Sequence, residues 1–454
     1  MSDRTQLVTV KSFLRVLGSI YFIAFLSFGI QAMGLIGSHG ILPLGDYLHA
    51  VREATGRTDW LEVPTLLWLN SSDAAIRFVW VVGAAAAMVV VIGFQQRAML
   101  AICLVLWLSV CVAGQDFLSF QWDILLSEAG FLAIFADRSK LRVWLFRWLI
   151  FRLMFFSGAV KLLSGDPAWR NLIAMTYHYE TQPLPTPLAW YMQQLPRGFQ
   201  RGSTLLVFVA ELLVPFLFFA PKRLRRAGAW VTIALQVLIL CTGNYTFFNW
   251  LTIALTMWLF IEPTAEGQVT ARPRVHRAIS VALAVFIGVV SGILCLELFN
   301  IEPPGGAAIL HLAGPLRIVN SYGLFAVMTT TRPEIIVEGS NDGVTWLAYE
   351  FRYKPGDVRR APPIVAPHQP RLDWQMWFAA LGTYQQNRWF QSFMARLLQG
   401  EPSVLSLLRY NPFPDRPPRY VRAREYLYHF THFGDRDWWT REEQGVYFPV
   451  VSLR

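Results

Sequence analysis

Glu128 and Arg152 are ionisable residues set inside apolar sequence, where a charge is costly unless it is paired or hydrated. At about 1.5 Å of rise per residue, Glu128 falls roughly 16 Å from one end of its helix. Arg152, counted from Arg142, falls roughly 15 Å from the opposite end of the next helix. Consecutive helices run antiparallel, so the two sit at one depth, and the spacing predicts that they pair. Asp123 and Lys161 both lie nearer the outer surface, where they form a second pair or bind a polar ligand. As a structural cluster these charges hold helices in register. As a chemical one, Glu128, Lys161 and His178 are the candidate catalytic groups. A desolvated lysine can be tuned as a base, although a lysine near a helix end also snorkels to the interface.

Lys161 leads into a polar loop, SGDPAWRN at 164–171 followed by YHYETQPLP at 177–185. Asp166, Arg170, Tyr177, His178 and Glu180 supply an acid, a guanidinium, a phenol, an imidazole and a second acid. Such a set suits substrate binding or acid-base work. It equally suits a proline-braced loop whose aromatics anchor at lipid headgroups. Glu211 and Gln236, also within apolar runs, read as packing or hydrogen-bonding residues. Asn244-Tyr245-Thr246 matches a glycosylation sequon but abuts a helix and reads as chance. No Walker loop, HExxH, GxSxG or dinucleotide fingerprint is present, no metal-ligand spacing occurs, and the sequence requires no cofactor.

The elements that position these groups follow from composition. The 454 residues are 54% hydrophobic and 15% charged, more apolar surface than a globular core hides, so lipid must solvate part of the chain. Its 18 Trp and 33 Phe suit membrane interfaces. A net charge of +10 would fit nucleic acid only if Lys and Arg clustered on a soluble module; here they sit in short loops between apolar runs, which excludes that partner. Cys103, Cys111, Cys241 and Cys295 all fall in apolar runs, against a structural disulfide, a zinc site or a thiol oxidoreductase.

Nine runs are long enough to span: 16–36, 76–94, 98–114, 117–136, 143–163, 203–220, 227–243, 245–261 and 278–298. The first reads as a retained helix rather than a cleaved signal peptide. The run 117–136 carries Gln121, Asp123 and Glu128 and is the one most suited to a re-entrant or broken segment. Alternate loops hold the basic residues: Arg4, Lys11 and Arg15; Arg97; Arg138, Lys140 and Arg142; Lys222, Arg223, Arg225 and Arg226; Arg272, Arg274 and Arg277. These loops are predicted cytoplasmic, with the N-terminus, which leaves loops 37–75 and 164–202 and the chain after about residue 300 on the other side. The expected architecture is a polytopic α-helical bundle over 1–300 and a soluble α+β domain over 301–454. In that domain 334–338 and 344–353 flank the turn Ser340-Asn341-Asp342-Gly343 as a β-hairpin. Residues 372–398 read as helix broken at Gly382, and 420–430 as a strand.

Several long motifs resemble the lipase maturation factor family: FQWDILLSEAGFL at 120–132, SGAVKL at 157–162, residues 166–187, NYTFFN at 244–249, residues 337–357, RLDWQMWFAALG at 371–382, and NPFPDRPPRY at 411–420. The resemblance covers most of 115–454 and is looser before that. It implies an endoplasmic-reticulum membrane factor that, in animals, helps dimeric lipases such as lipoprotein lipase reach an active fold. The chain has neither a cysteine-bearing luminal domain nor a recognisable C-terminal retention signal, so a bacterial member in a plasma membrane is expected, with the endoplasmic reticulum as the eukaryotic counterpart. More distantly, Phe156, Gly158, Lys161, Leu162, Asp166 and Trp169 look like a helix-end motif of the vitamin K-dependent carboxylase and its horizontally transferred transmembrane relatives. In the carboxylase that lysine is implied to act as a base on a quinol.

The leading expectation is a maturation factor or chaperone for exported proteins such as lipases, embedded in membrane lipid and meeting its client through an aromatic surface that includes Trp374 and Trp377. Those tryptophans could instead pack the domain against the bundle. The alternatives are a carboxylase-like enzyme with Lys161 as base and, less favoured for want of an inverted repeat, a transporter.

Overall fold

The computed structural model of the protein describes residues 3–264 and 274–453; Arg272 of the last basic loop lies outside them. In chain order the bundle comprises α1 (Asp3–Gly29), α2 (Asp73–Ile92), α3 (Gln96–Ala113), α4 (Gln121–Ile134), α5 (Lys140–Leu163), α6 (Arg197–Phe208), α7 (Lys222–Thr242), α8 (Phe248–Thr256) and α9 (Arg274–Leu298). Among the described residues seven helices are long and apolar enough to cross a membrane, α6 counting with its continuation to Phe219. The two expected runs left out are 117–136 and 245–261. The backbone turns near the start of each: Gln115, just before the first, and Thr246, within the second, adopt positive φ, and α-helix begins only at Gln121 and Phe248. At 14 residues α4 is about 21 Å long, short of a hydrocarbon core of about 30 Å, and it is walled in by protein.

One end of the bundle gathers the basic connections. Arg97 donates to the Ala136 carbonyl, Arg225 to that of Leu259 and to Glu262, and Arg147 to that of Ile261. The C-terminal domain sits on the opposite end. There Ser27 and Gln31, at the close of α1, bond the backbone of Gln369 and Arg371, and Trp122 donates its indole N–H to Gln369.

The domain is α+β. Its main sheet has the order β2-β1-β5-β6, all antiparallel, from β1 (Arg332–Ser340), β2 (Leu347–Ala348), β5 (Tyr420–Phe430) and β6 (Trp439–Val451). The expected hairpin closes with Glu338 opposite Ala348, but its second arm divides: β2 stays with β1, whereas β3 (Glu350–Phe351) pairs with β4 (Leu408–Tyr410). Asp342 holds the turn by accepting from the amides of Val344 and Thr345. The expected helical stretch is α10 (Arg371–Ala380) and α11 (Arg388–Gln399), separated around Gly382. Residues between α9 and β1 also return to the bundle: Tyr322 is fully buried, and Gly323 exchanges hydrogen bonds with the Gln121 side chain.

Candidate functional site

Arg152 and Glu128 do pair, both essentially inaccessible to solvent. The other carboxylate oxygen of Glu128 accepts from the Tyr322 hydroxyl at 2.7 Å and from the Asn320 amide at 3.0 Å, while Arg152 donates to the Asn320 carbonyl at 2.8 Å. The cluster is tightly filled and fastens the segment after α9 to the core of the bundle.

Asp123 and Lys161 do not form the second pair. Arg371, the first residue of α10, grips Asp123 through both terminal nitrogens at 3.0 and 2.9 Å, with neither side chain exposed. Lys161 donates to Glu211 at 2.7 Å and to the Ser157 carbonyl at 2.9 Å, with its ammonium 5.3 Å from the Trp169 ring. Glu211 lies on a single π-helical turn, Val209–Leu213, a wide turn often found where a helix carries a functional group. A lysine held by two acceptors is a structural cation first; a base role requires those bonds to break.

The polar loop is divided among several tasks. Asp166 caps the short helix Pro167–Arg170, accepting from Ala168 N, and its second oxygen accepts from Met328 N at 2.6 Å. Arg170 is exposed. Tyr177 packs beside Trp169 and Phe208. Glu180 faces the sheet, accepting from Phe430 N and contacting His429. His178 alone of this group joins Lys161, on the wall of a cavity of about 410 Å³ whose lining includes Glu211, Tyr245, Gln236 and Asn249. Burial, reinforced by Lys161, lowers the pKa of His178 to about 4, so its imidazole is neutral at pH 7. Among the described residues no group of three or more His, Cys, Asp or Glu is placed to hold a metal.

Trp374 and Trp377 are buried, so neither belongs to an exposed aromatic surface. Trp374 packs edge-on against Trp122, and Trp377 donates to the Thr181 carbonyl at 2.9 Å. Arg332, also fully buried, donates to the carbonyls of Glu180, Gln182 and Pro183. The domain thereby holds four successive carbonyls of the loop. Asn244 is a second tie: its amide nitrogen donates to the Pro363 carbonyl and its oxygen accepts from Val365 and Ala366, which leaves no room for a glycan. Sequence reasoning missed Arg371, Arg332 and the Glu211 partnership. Only the position of Glu211 in an apolar run offered a signal.

Residues 8–266 match the family model described as the lipase maturation factor transmembrane domain, and residues 318–449 the lipase maturation factor C-terminal domain. Lipase maturation factor 2 of Gallus gallus is 36% identical over 97% of this chain and 81% of its own length. The Homo sapiens lipase maturation factor 2 is 36% identical over 97% and 82%, and the Bos taurus lipase maturation factor 1 is 36% identical over 97% and 88%. No solved structure matches the chain. These relatives are vertebrate and lend no support to a bacterial plasma membrane. Matched through both halves of its length, this chain belongs to the lipase maturation factor family.

Proposed function

We propose that the chain is an integral membrane factor that assists the folding and assembly of exported lipases, acting in the endoplasmic-reticulum membrane where the host is eukaryotic. The observation that carries this reading is the match of both halves, in order, to proteins named lipase maturation factor 1 and 2. The basic connections at one end of the bundle favour that end as cytoplasmic and the C-terminal domain as facing the compartment in which secreted lipases fold.

With Trp374 and Trp377 buried, the client-facing surface belongs elsewhere on the domain. Among the described residues the outer edge of β6 beyond Trp439 has no neighbouring strand and exposes Val446 and Val450, an edge to which an extended client segment can add. Co-expression with a dimeric lipase is the test of the role, read as active lipase secreted. No gain in yield over an empty membrane would sink it. The edge is tested separately by Val446→Arg with Val450→Arg, which should cut the gain while the purified variant keeps its thermal stability. For orientation, Asn341→Cys in the exposed turn should react with an impermeant maleimide from the non-cytoplasmic side, and Arg223→Cys should not.

A further inference from the structure

The cavity beside Lys161 is polar at one end and apolar over most of its depth. Lys161, Glu211, His178 and Tyr245 lie toward the domain; Leu153, eight residues before Lys161 on α5, lines the wall about 12 Å deeper. Leu206 on α6 and Leu238 on α7 both line the cavity and are 66% and 62% exposed, so the opening between these helices faces the hydrocarbon of the bilayer. Its volume of about 410 Å³ falls in the range of sites that enclose small molecules, about 300–1,000 Å³.

The polar end carries no net charge, because Lys161 and Glu211 neutralise one another at 2.7 Å and the His178 imidazole is uncharged at neutral pH. One acceptor deeper in the wall, beside Gln236 at the level of Met154, is unmet. Asn249 is fully buried and donates to Gln236 at 2.7 Å, yet its own amide oxygen has no partner. A buried acceptor left open costs free energy, and a hydroxyl carried in by an occupant would satisfy it.

From this geometry we infer that the cavity binds an uncharged, single-chain amphiphile with a free hydroxyl, drawn from the leaflet on the domain side, its hydroxyl donating to Asn249 and its chain lying along α5 and α7. Monoacylglycerols and long-chain alcohols share this chemistry. A carboxylate would bring an unpaired charge into a neutral site, and a two-chain phospholipid would bring a charged headgroup and a second chain. The inference is independent of the client: it concerns a lipid held within the bundle, not the protein that is matured.

The full chain in phosphatidylcholine vesicles, photolabelled with a diazirine monoacylglycerol and in a parallel arm with a diazirine long-chain alcohol, tests it. Label should appear on α6, α7 and the start of α8. Unlabelled monoolein or oleyl alcohol should compete in its own arm, and the arm with the stronger labelling identifies the source. Oleate should compete poorly, and methyl oleate, which has no hydroxyl, about fivefold less well than monoolein. Asn249→Leu should remove that preference. Gly202 lines the cavity with nothing within 4 Å of an added Cβ, so Gly202→Phe should fill the opening and lower labelling about tenfold without unfolding the bundle. Leu238→Trp, from the opposite lip, is the second block. Labelling that both blocks leave unchanged, or a phosphatidylcholine probe that labels the same peptides as strongly, would overturn the inference, as would equal competition by methyl oleate.

Discussion

Asp123 and Arg371, 248 positions apart, form a two-pronged ion pair with neither side chain exposed, at the plane where the C-terminal domain meets the bundle. A carboxylate so placed depends on one guanidinium for its charge compensation. Arg371→Ala should therefore destabilise the protein by about 3–5 kcal/mol, as loss of one partner of a buried pair does. Asp123→Leu combined with Arg371→Met should recover much of that loss. Thermal unfolding in detergent is the readout, and a double variant no better than Arg371→Ala would refute the pairing account.

Glu128 is the hub of the second buried network, and its partners differ in kind. Tyr322→Phe deletes one hydrogen bond to a charged acceptor and should cost about 1.5–3 kcal/mol. Arg152→Met leaves the carboxylate uncompensated and should cost more, about 3–5 kcal/mol. The order of the two melting temperatures checks this; the reverse order would mean that Tyr322, not Arg152, compensates Glu128.

His368 gives the domain–bundle contact a pH dependence. Its ring shares a hydrogen bond with Ser27 at 2.9 Å, and burial, aided by Arg371 and Arg352, lowers its pKa to about 4. An unfolded histidine titrates near about 6.5, so between these values the unfolded chain binds the proton that the folded one refuses. Stability should fall as pH drops from about 6.5, by at most about 1.4 kcal/mol per pH unit, and this contribution should level off below about pH 4. His368→Gln should flatten the slope in urea titrations at several pH values; identical slopes would exclude His368 as the source.

Asn244 should stay unmodified in a glycosylating host despite its sequon, because both ends of its amide are engaged with Pro363, Val365 and Ala366. Intact-mass analysis of the peptide that contains it reads this directly. A glycan there would mean that Asn244 is modified before it engages residues 363–366.

Helix periodicity and depth made Glu128 and Arg152 legible as partners, since both lie on consecutive antiparallel helices whose rise fixes their level. The same reasoning failed for Asp123 and Lys161, which share a level but not a neighbour. Asp123 is met by a residue of the soluble domain, and Lys161 by Glu211 on a helix that a long loop separates from α5. Hydropathy read 117–136 and 245–261 as spans, whereas among the described residues their α-helices are only 14 and 9 residues long, because composition does not register the backbone turns at Gln115, just before the first, or Thr246. Tyr420–Phe430 was readable as a strand from its own alternation; the division of 344–353 between two sheets was not, because β4 lies far along the chain. The tryptophans of α10 were ambiguous, since a surface that binds a client and one that binds the chain's own bundle have the same composition.

The grip of Arg332 and Trp377 on the carbonyls of residues 180–183 has a mechanical corollary. The stretch they hold includes the C-terminal end of the Met175–Thr181 helix, whose Met175, His178 and Tyr179 form part of the cavity wall beside Lys161. That wall is clamped from the domain side by a strand of the main sheet and by α10. A continuous hydrogen-bonded path runs from β6 through β5 and β1 to Arg332 and from there to the cavity wall. The water-facing sheet and the lipid-facing cavity are therefore joined by hydrogen bonds rather than by a free linker.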